Sequence, residues 1–420
     1  MTLAAPEISG PLRAHIVVPG SKSATARGYV LAALADAPSL LTGVLDARDT
    51  RLMRAALEGL GVGFSDRGAG VVEVCPPAAF GAHDVAAGLA GTIMRFLPPL
   101  AALADGPSRF DGDPEARLRP VAPLLDGLVQ AGVRVEPVDA LPFTVHGRGR
   151  VPGGRATIDA TGSSQFVSGL LLAAARFEDG LELTHRGGAL PSRPHIDLTI
   201  GMLRDRGVRV SADPDADRWR VSPGPIAARD ETIEPDLINA ATFLAAPLLA
   251  GGSVTTAWPA HTAQAADTVL SVLAALGGTV EQSPGTVTVH GDGRVRGADL
   301  DLSRASELTC VASALLAVAD GPGRIRGVGH VRGHETDRLA ALETELNALG
   351  SDVAQTADGL RIRPTRLHGG TFHTYADHRM AHAGALLGLA VPGVTLDDVT
   401  CTTKTLPDFP GLWAQLVGRG

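Results

Sequence analysis

The stretch MRAALEGLGV, residues 53–62, places Met53, Ala56, Leu57 and Leu60 on one face at helical spacing and closes with Gly61. Four further segments repeat the pattern: PLLDGLVQAGV (123–133), LTIGMLRDRGV (198–208), TVLSVLAALGG (268–278) and ALETELNALG (341–350). Their closing glycines, Gly61, Gly132, Gly207, Gly277 and Gly350, recur every 70–75 residues. A looser sixth copy runs from Pro407 to Val417.

A second series alternates with the first. GSKSATARGYVLAALA (20–35), GLAGTIMRFLPPLAALA (88–104), TGSSQFVSGLLLAAA (161–175), EPDLINAATFLAAPLLA (234–250), SRASELTCVASALLAVA (303–319) and YADHRMAHAGALLGLA (375–390) are apolar nearly all round, as buried helices are. Short β-branched or alternating runs lie between helices, among them 15–18, 155–159, 219–221, 286–290 and 360–363, and these predict strands. The sequence therefore predicts an α/β (α+β) fold of six copies, each with two helices. Three copies per domain is the natural closure, because one copy cannot hide its own faces. The Pro-rich, charged segment 222–236 predicts the linker, giving two similar domains joined by a hinge.

Composition narrows the function. With 420 residues, 45% of them apolar and 20% charged, the chain is long enough for two or three buried cores. A net charge of −8 argues against a nucleic-acid partner, whose binding surface is normally basic. Cys75, Cys310 and Cys401 are far apart and have no paired spacing, so neither a disulfide framework nor a cysteine zinc site is predicted, and a cytoplasmic location fits. The longest apolar runs fall short of the ~18 residues needed to cross a bilayer, so no membrane partner is expected. Of 37 cationic residues only Lys22 and Lys404 are lysine. Either codon bias spared two lysines, or they sit where a guanidinium would not serve.

Polar clusters head the helices: Lys22, Ser23 and Arg27; Gly91, Thr92 and Arg95; Ser163, Ser164 and Gln165; Glu307; and Asp377, His378 and Arg379. Arg119, Ser192, Glu335 with Arg338, and Lys404 head the amphipathic series. Helix starts expose backbone N–H groups, so cations and hydroxyls there suit phosphate or carboxylate. Each cluster also has a plain structural explanation. Ser163 and Ser164 can be simple caps, Asp377 to Arg379 a capped and salt-bridged end, and Glu335 with Arg338 a pair on a solvated face. His378 and His382 have metal-binding spacing without an obvious third ligand, so no metal is expected.

In order along the chain, PGSKSATARGYVLAALA (19–35), GLAGTIMRF (88–96), ARLRP (116–120), SSQFVSGLLL (163–172), LPSRPHID (190–197), RGHETDRLA (332–340), YADHRMAHA (375–383) and TTKTLPDFP (402–410) closely resemble the 5-enolpyruvylshikimate-3-phosphate synthase family of enolpyruvyl transferases. The resemblance implies two domains of three βαβαββ copies, an inside-out α/β barrel each, with residues 1–20 and 235–420 in one and 21–234 in the other. It implies transfer of the enolpyruvyl group of phosphoenolpyruvate to the 5-hydroxyl of shikimate 3-phosphate by addition and elimination, with no cofactor and no metal. Residues implied to bind shikimate 3-phosphate are Lys22, Ser23, Arg27, Ser163, Ser164, Gln165, Ser192, Glu307 and His334. Those implied to bind phosphoenolpyruvate are Lys22, Gly91, Arg119, Gln165, Arg338, Arg379 and Lys404. Glu307 is implied as base, Glu335 and Lys22 as candidate acids, with His334 beside them. A cytoplasmic monomer is expected.

Five positions depart from the commonest family pattern: Glu307 for Asp, His334 for Lys, His330 for Asn, His195 for Tyr and Leu89 for Asn. Two other readings stand beside this one. A UDP-N-acetylglucosamine enolpyruvyl transferase would place a Cys in the loop 112–119, which has none. A catalytically inactive anion-binding relative would not need Lys22, Glu307, Glu335, Arg379 and Lys404 together.

Overall fold

The structure, a computed structural model, describes residues 2–4 and 10–418. It contains α1 (Lys22–Ala33), α2 (Arg48–Gly59), α3 (Gly91–Ala101), α4 (Ala122–Gln130), α5 (Gln165–Ala174), α6 (Pro194–Arg204), α7 (Leu237–Ala250), α8 (Ala266–Ala275), α9 (Thr309–Ala317), α10 (Arg338–Ala348), α11 (His378–Ala390) and α12 (Phe409–Leu416). Odd-numbered helices are the apolar series and even-numbered ones the amphipathic series. The repeat thus locates every helix core, because two periodicities, 3.6 residues and about 70, reinforce each other.

The chain divides into unit 1, residues 1–19 with 235–420, and unit 2, residues 20–234. Each has its own apolar core. A complete copy reads strand, odd helix, strand, even helix and hairpin. In the copy holding α5 and α6, Gly154–Ile158 pairs parallel with Leu181–His185, and the hairpin Val210–Asp213 and Arg218–Val221 adds antiparallel. Two copies borrow strands across long stretches of sequence. Glu231–Thr232 pairs with Ser39–Thr42 to complete the copy holding α1, while Leu12–Ile16 pairs with Gly252–Ala257 to complete the one holding α7. Leu3–Ala4 stands in for the missing hairpin of the last copy.

Among the described residues the two units together hold five four-stranded sheets and one three-stranded sheet, each separate from the others. One expectation is corrected in its bounds. The first strand lies at 12–16 rather than 15–18, because Pro19 follows and cannot extend a ladder. The segment 222–236 contains the break between the units at 234/235 and is itself structured on both sides of it: Glu231–Thr232 is a strand of unit 2, and Asp236 caps α7 through its side chain.

Close helix contact carries part of the site. A methyl group on Gly169 of α5 would lie 2.0 Å from the Arg95 carbonyl of α3, so only glycine permits this approach. Gly169→Ala is expected to destabilise the protein by about 1–3 kcal/mol through overpacking. A melting temperature unchanged from wild type would contradict it.

Candidate functional site

In unit 2 the first apolar helix begins at Lys22, after Ser21 accepts the Ala24 N–H. Lys22 Nζ lies 3.4 Å from Asp49 Oδ2, a buried carboxylate in the first turn of α2. Arg27 is fully buried. Its Nε donates to Thr199 Oγ1 (2.7 Å), Nη1 to the Ser23 carbonyl and hydroxyl, and Nη2 to Ser168 Oγ and the His195 carbonyl. All five N–H groups therefore meet neutral oxygens. Burial without a carboxylate pulls the Arg27 pKa down to about 9.

Two guanidinium groups flank Gly91, the first residue of α3. A methyl group there would lie 2.6 Å from Arg95 Nη1 and 3.0 Å from Arg119 Nη2. Arg119 Nη1 donates to the Leu89 carbonyl, and Arg95 donates to Gln165 Oε1 (3.1 Å) and the Pro120 carbonyl. Two guanidinium groups and a helix start without a side-chain cap form an anion cradle. Gly91→Ala is expected to weaken binding of a small phosphate- or carboxylate-bearing ligand roughly tenfold, about 1.4 kcal/mol of lost binding, with thermal stability near wild type. An unchanged affinity would refute an anion contact at this point.

Ser163 serves as a cap, its Oγ accepting the Gln165 N–H. Ser164 occupies the N-cap position without a side-chain cap bond. Ser192 is buried with a left-handed φ of 48°, two residues before α6. Arg119 lies three residues before α4 rather than at its start, as the end of a short 3-10 turn.

In unit 1 the acidic and basic candidates form one linked chain. Lys404 Nζ donates to Glu335 Oε1, Arg338 Nη2 to Glu335 Oε2 (2.8 Å), and Arg338 grips Asp377 with Nε (2.8 Å) and Nη2 (3.1 Å). All four side chains are nine-tenths or more buried, so the pair Glu335 and Arg338 is no solvated surface bridge. Burial alone would pull the Arg338 pKa down, but Asp377 and Glu335 reverse this and raise it. Arg338 Nη1 donates to His334 Nδ1 (2.9 Å), which requires that nitrogen to be unprotonated and leaves the proton of a neutral ring on Nε2.

Asp377 also caps α11, accepting the Arg379 N–H. Arg379 Nη1 donates to Asn239 Oδ1, and Asn239 Nδ2 reaches the Thr405 carbonyl beside Lys404. Lys404 ends a 3-10 turn, five residues before α12, rather than opening that helix. Glu307 lies in the short turn before α9, next to Ser306, whose hydroxyl meets His330 Nε2 at 2.9 Å. Burial lowers the His330 pKa, against the opposing charge of Glu307.

Sequence reasoning gave no role to Asp49 or Asn239, grouped Arg95 with the anion-site cluster at Gly91, and read Asp377 as a helix cap, which it is; all four orient a candidate residue. For Arg95 and Asp377 the shared phase of the repeat was the available signal; Asp49 and Asn239 had none. His382, spaced as a metal ligand from His378, is a core residue: fully buried, stacked on Phe409 at 4.8 Å, its pKa pushed well down by burial. Among the described residues no group of three or more His, Cys, Asp or Glu side chains is placed to hold a metal ion. A groove of about 650 Å³ in unit 1 lies at the C-terminal ends of α7, α9 and α11. Arg294, Arg366 and Asp320 line it together with the helix ends, and none of the candidate site residues does.

Two units of βαβαββ copies, with cations and carboxylates gathered at or near helix starts, offer donors suited to small anions. A profile of the EPSP synthase (3-phosphoshikimate 1-carboxyvinyltransferase) family matches residues 6–413. A 3-phosphoshikimate 1-carboxyvinyltransferase of Kocuria rhizophila is 53% identical, with 97% of this chain and 94% of the relative covered. Among solved structures, an EPSP synthase of Acinetobacter baumannii matches with a TM-score of 0.79 at 21% identity, covering 99% of this chain and 98% of that one. The enolpyruvyl transferase NikO of Streptomyces tendae matches at 0.78 and 20% identity, with coverages of 99% and 96%, and both share the fold. The chain belongs to the EPSP synthase family and is an enolpyruvyl transferase of the shikimate pathway.

Proposed function

We infer that the chain joins phosphoenolpyruvate to the 5-hydroxyl of shikimate 3-phosphate, releasing phosphate. The observation that supports this is the buried chain Lys404, Glu335, Arg338 and Asp377, which sets the Glu335 carboxylate between two cations. In this reading Lys22, Gly91, Arg119, Gln165, Arg338, Arg379 and Lys404 hold phosphoenolpyruvate, the arginines gripping carboxylate and phosphate. Ser23, Ser163, Ser164, Gln165, Ser192 and His334 hold shikimate 3-phosphate. Arg27 acts on it through its field, since its donors already have partners.

Chemistry follows in two steps. The 5-hydroxyl oxygen attacks C2 of phosphoenolpyruvate while Glu307 takes its proton, and C3 gains a proton to form a tetrahedral adduct. Loss of that C3 proton then expels phosphate and leaves the enol ether. Glu335 exchanges the C3 proton, with Lys404 as its hydrogen-bonded proton source, and Lys22 stabilises the phosphate. The family departures fit this scheme. Leu89 contributes a carbonyl to Arg119, and His195 contributes one to Arg27, so neither contact depends on the side chain.

Residues 1–20 with 235–420 and residues 21–234 are then the two enolpyruvyl transferase domains, a division supported by the breaks at 19/20 and 234/235. Three free cysteines support a reducing cytoplasm, and the chain acts as a monomer in this reading. Glu335→Gln is the direct test of the proton role: kcat should fall ~10²-fold or more, a typical general acid–base contribution, with both KM values near wild type. A kcat within threefold would assign the proton elsewhere.

A further inference from the structure

Immediately before Asp377 the backbone takes an unusual path. Tyr375 and Ala376 have φ values of 54° and 53°, two successive non-glycine residues in the left-handed region. The Asp377 N–H donates to the Thr374 carbonyl (2.8 Å), so residues 374–377 form a tight turn of the mirror-image class normally built from Asn, Asp and Gly. Tyrosine and alanine pay a steric penalty there, and such outliers persist only where surrounding contacts over-determine them.

Two carboxylates do so. Glu345 of α10, 2% exposed, accepts the Tyr375 hydroxyl (2.6 Å) and the His373 N–H (2.8 Å). Asp397 accepts both the N–H and the hydroxyl of Thr374 and meets His373 Nδ1 at 3.0 Å. The same helix α10 that supplies Glu345 also begins with Arg338, whose guanidinium grips Asp377. So α10 is tied to this segment at two points about two turns apart, one on each side of the left-handed pair. The turn fixes where Asp377 emerges, and Asp377 in turn orients the Arg338 guanidinium and caps the helix that carries Arg379.

We propose that Tyr375 and Glu345 are positioning residues: they lock the left-handed turn so that Arg338 and Arg379 are held in register for the carboxylate of phosphoenolpyruvate. The proposal rests on the assignment of these two arginines to that substrate. It explains why a half-exposed tyrosine, 42% accessible, sits where glycine or asparagine would be unstrained. The hydroxyl that reaches Glu345 is something neither of those residues could supply.

The test uses the full-length enzyme with four variants, each measured for kcat, both KM values and melting temperature. Tyr375→Phe removes the hydroxyl contact, and Ala376→Gly removes the steric restriction. Ala376→Asn keeps a left-handed preference without the freedom of glycine. Arg379→Met tests the underlying assignment. Expected are a rise of fivefold or more in KM for phosphoenolpyruvate with Tyr375→Phe and Ala376→Gly, KM for shikimate 3-phosphate and kcat within twofold, and wild-type constants for Ala376→Asn. Ala376→Gly should melt no lower than wild type, which separates lost positioning from lost stability. If Arg379→Met raises KM for phosphoenolpyruvate while Tyr375→Phe and Ala376→Gly leave it within twofold of wild type, the positioning role is overturned. An unchanged KM in Arg379→Met would instead overturn the assignment on which it rests.

Discussion

Replacing Arg338 with methionine is expected to lower kcat/KM by roughly 10³-fold and to destabilise the fold by about 3–5 kcal/mol, the cost of leaving a buried charge without its partner. The guanidinium serves Asp377, Glu335 and His334 at once, and Asp377 is wholly buried. Removing it strands two carboxylates together, and their mutual repulsion adds to the lost desolvated pair. The catalytic part has a separate origin, because Glu335 loses one of the two donors that fix its position. Chemical denaturation and steady-state kinetics read the two effects independently. A loss of kcat/KM below tenfold would mean that Arg338 is structural only.

Lys404→Arg should be nearly as damaging to activity, by about 10²–10³-fold, the usual cost of removing one preorganised charged donor. The side chain is 2% exposed against Glu335, so a planar, larger guanidinium must displace its neighbours, and it cannot readily give up a proton. Lys22→Arg is expected to cost less, because Lys22 is 22% exposed and its contact with Asp49 is long at 3.4 Å. That difference is itself informative. Both lysines were conspicuous as the only two among 37 cations. Full activity in Lys404→Arg would make its retention an accident of codon usage.

All twelve helix cores were legible because hydrophobic spacing and the 70-residue repeat carry local, redundant information. Strand exchange between distant parts of the chain was partly legible. The resemblance implied that the first strand belongs with residues 235–420, yet nothing local marks Glu231–Thr232 as the partner of Leu41 and Thr42, about 190 residues away. Its two residues carry no periodicity, and the pairing is decided by which edge remains open.

The site divides in the same way. Cations at helix starts could be found by their recurring phase, and the structure brings Arg338, Glu335 and Lys404 into contact, and Arg95 and Arg119 together around Gly91. What orients them was legible only in part: Asp377 reads as a helix cap, but its contact with Arg338 across 39 residues and that of Asn239 with Arg379 across 140 have no local signal. Both contacts exist only once helices have packed. Arg27, whose motif position implies a ligand contact, has its five donors on oxygens of the protein itself in this structure.

Phosphate release from phosphoenolpyruvate, followed with the purified chain and with shikimate 3-phosphate or UDP-N-acetylglucosamine as the acceptor, tests the central claim most directly. Release with shikimate 3-phosphate alone, matched one to one by formation of its enolpyruvyl ether, is the expected result. Turnover only with UDP-N-acetylglucosamine would contradict the choice of acceptor, and none with either would contradict catalysis itself.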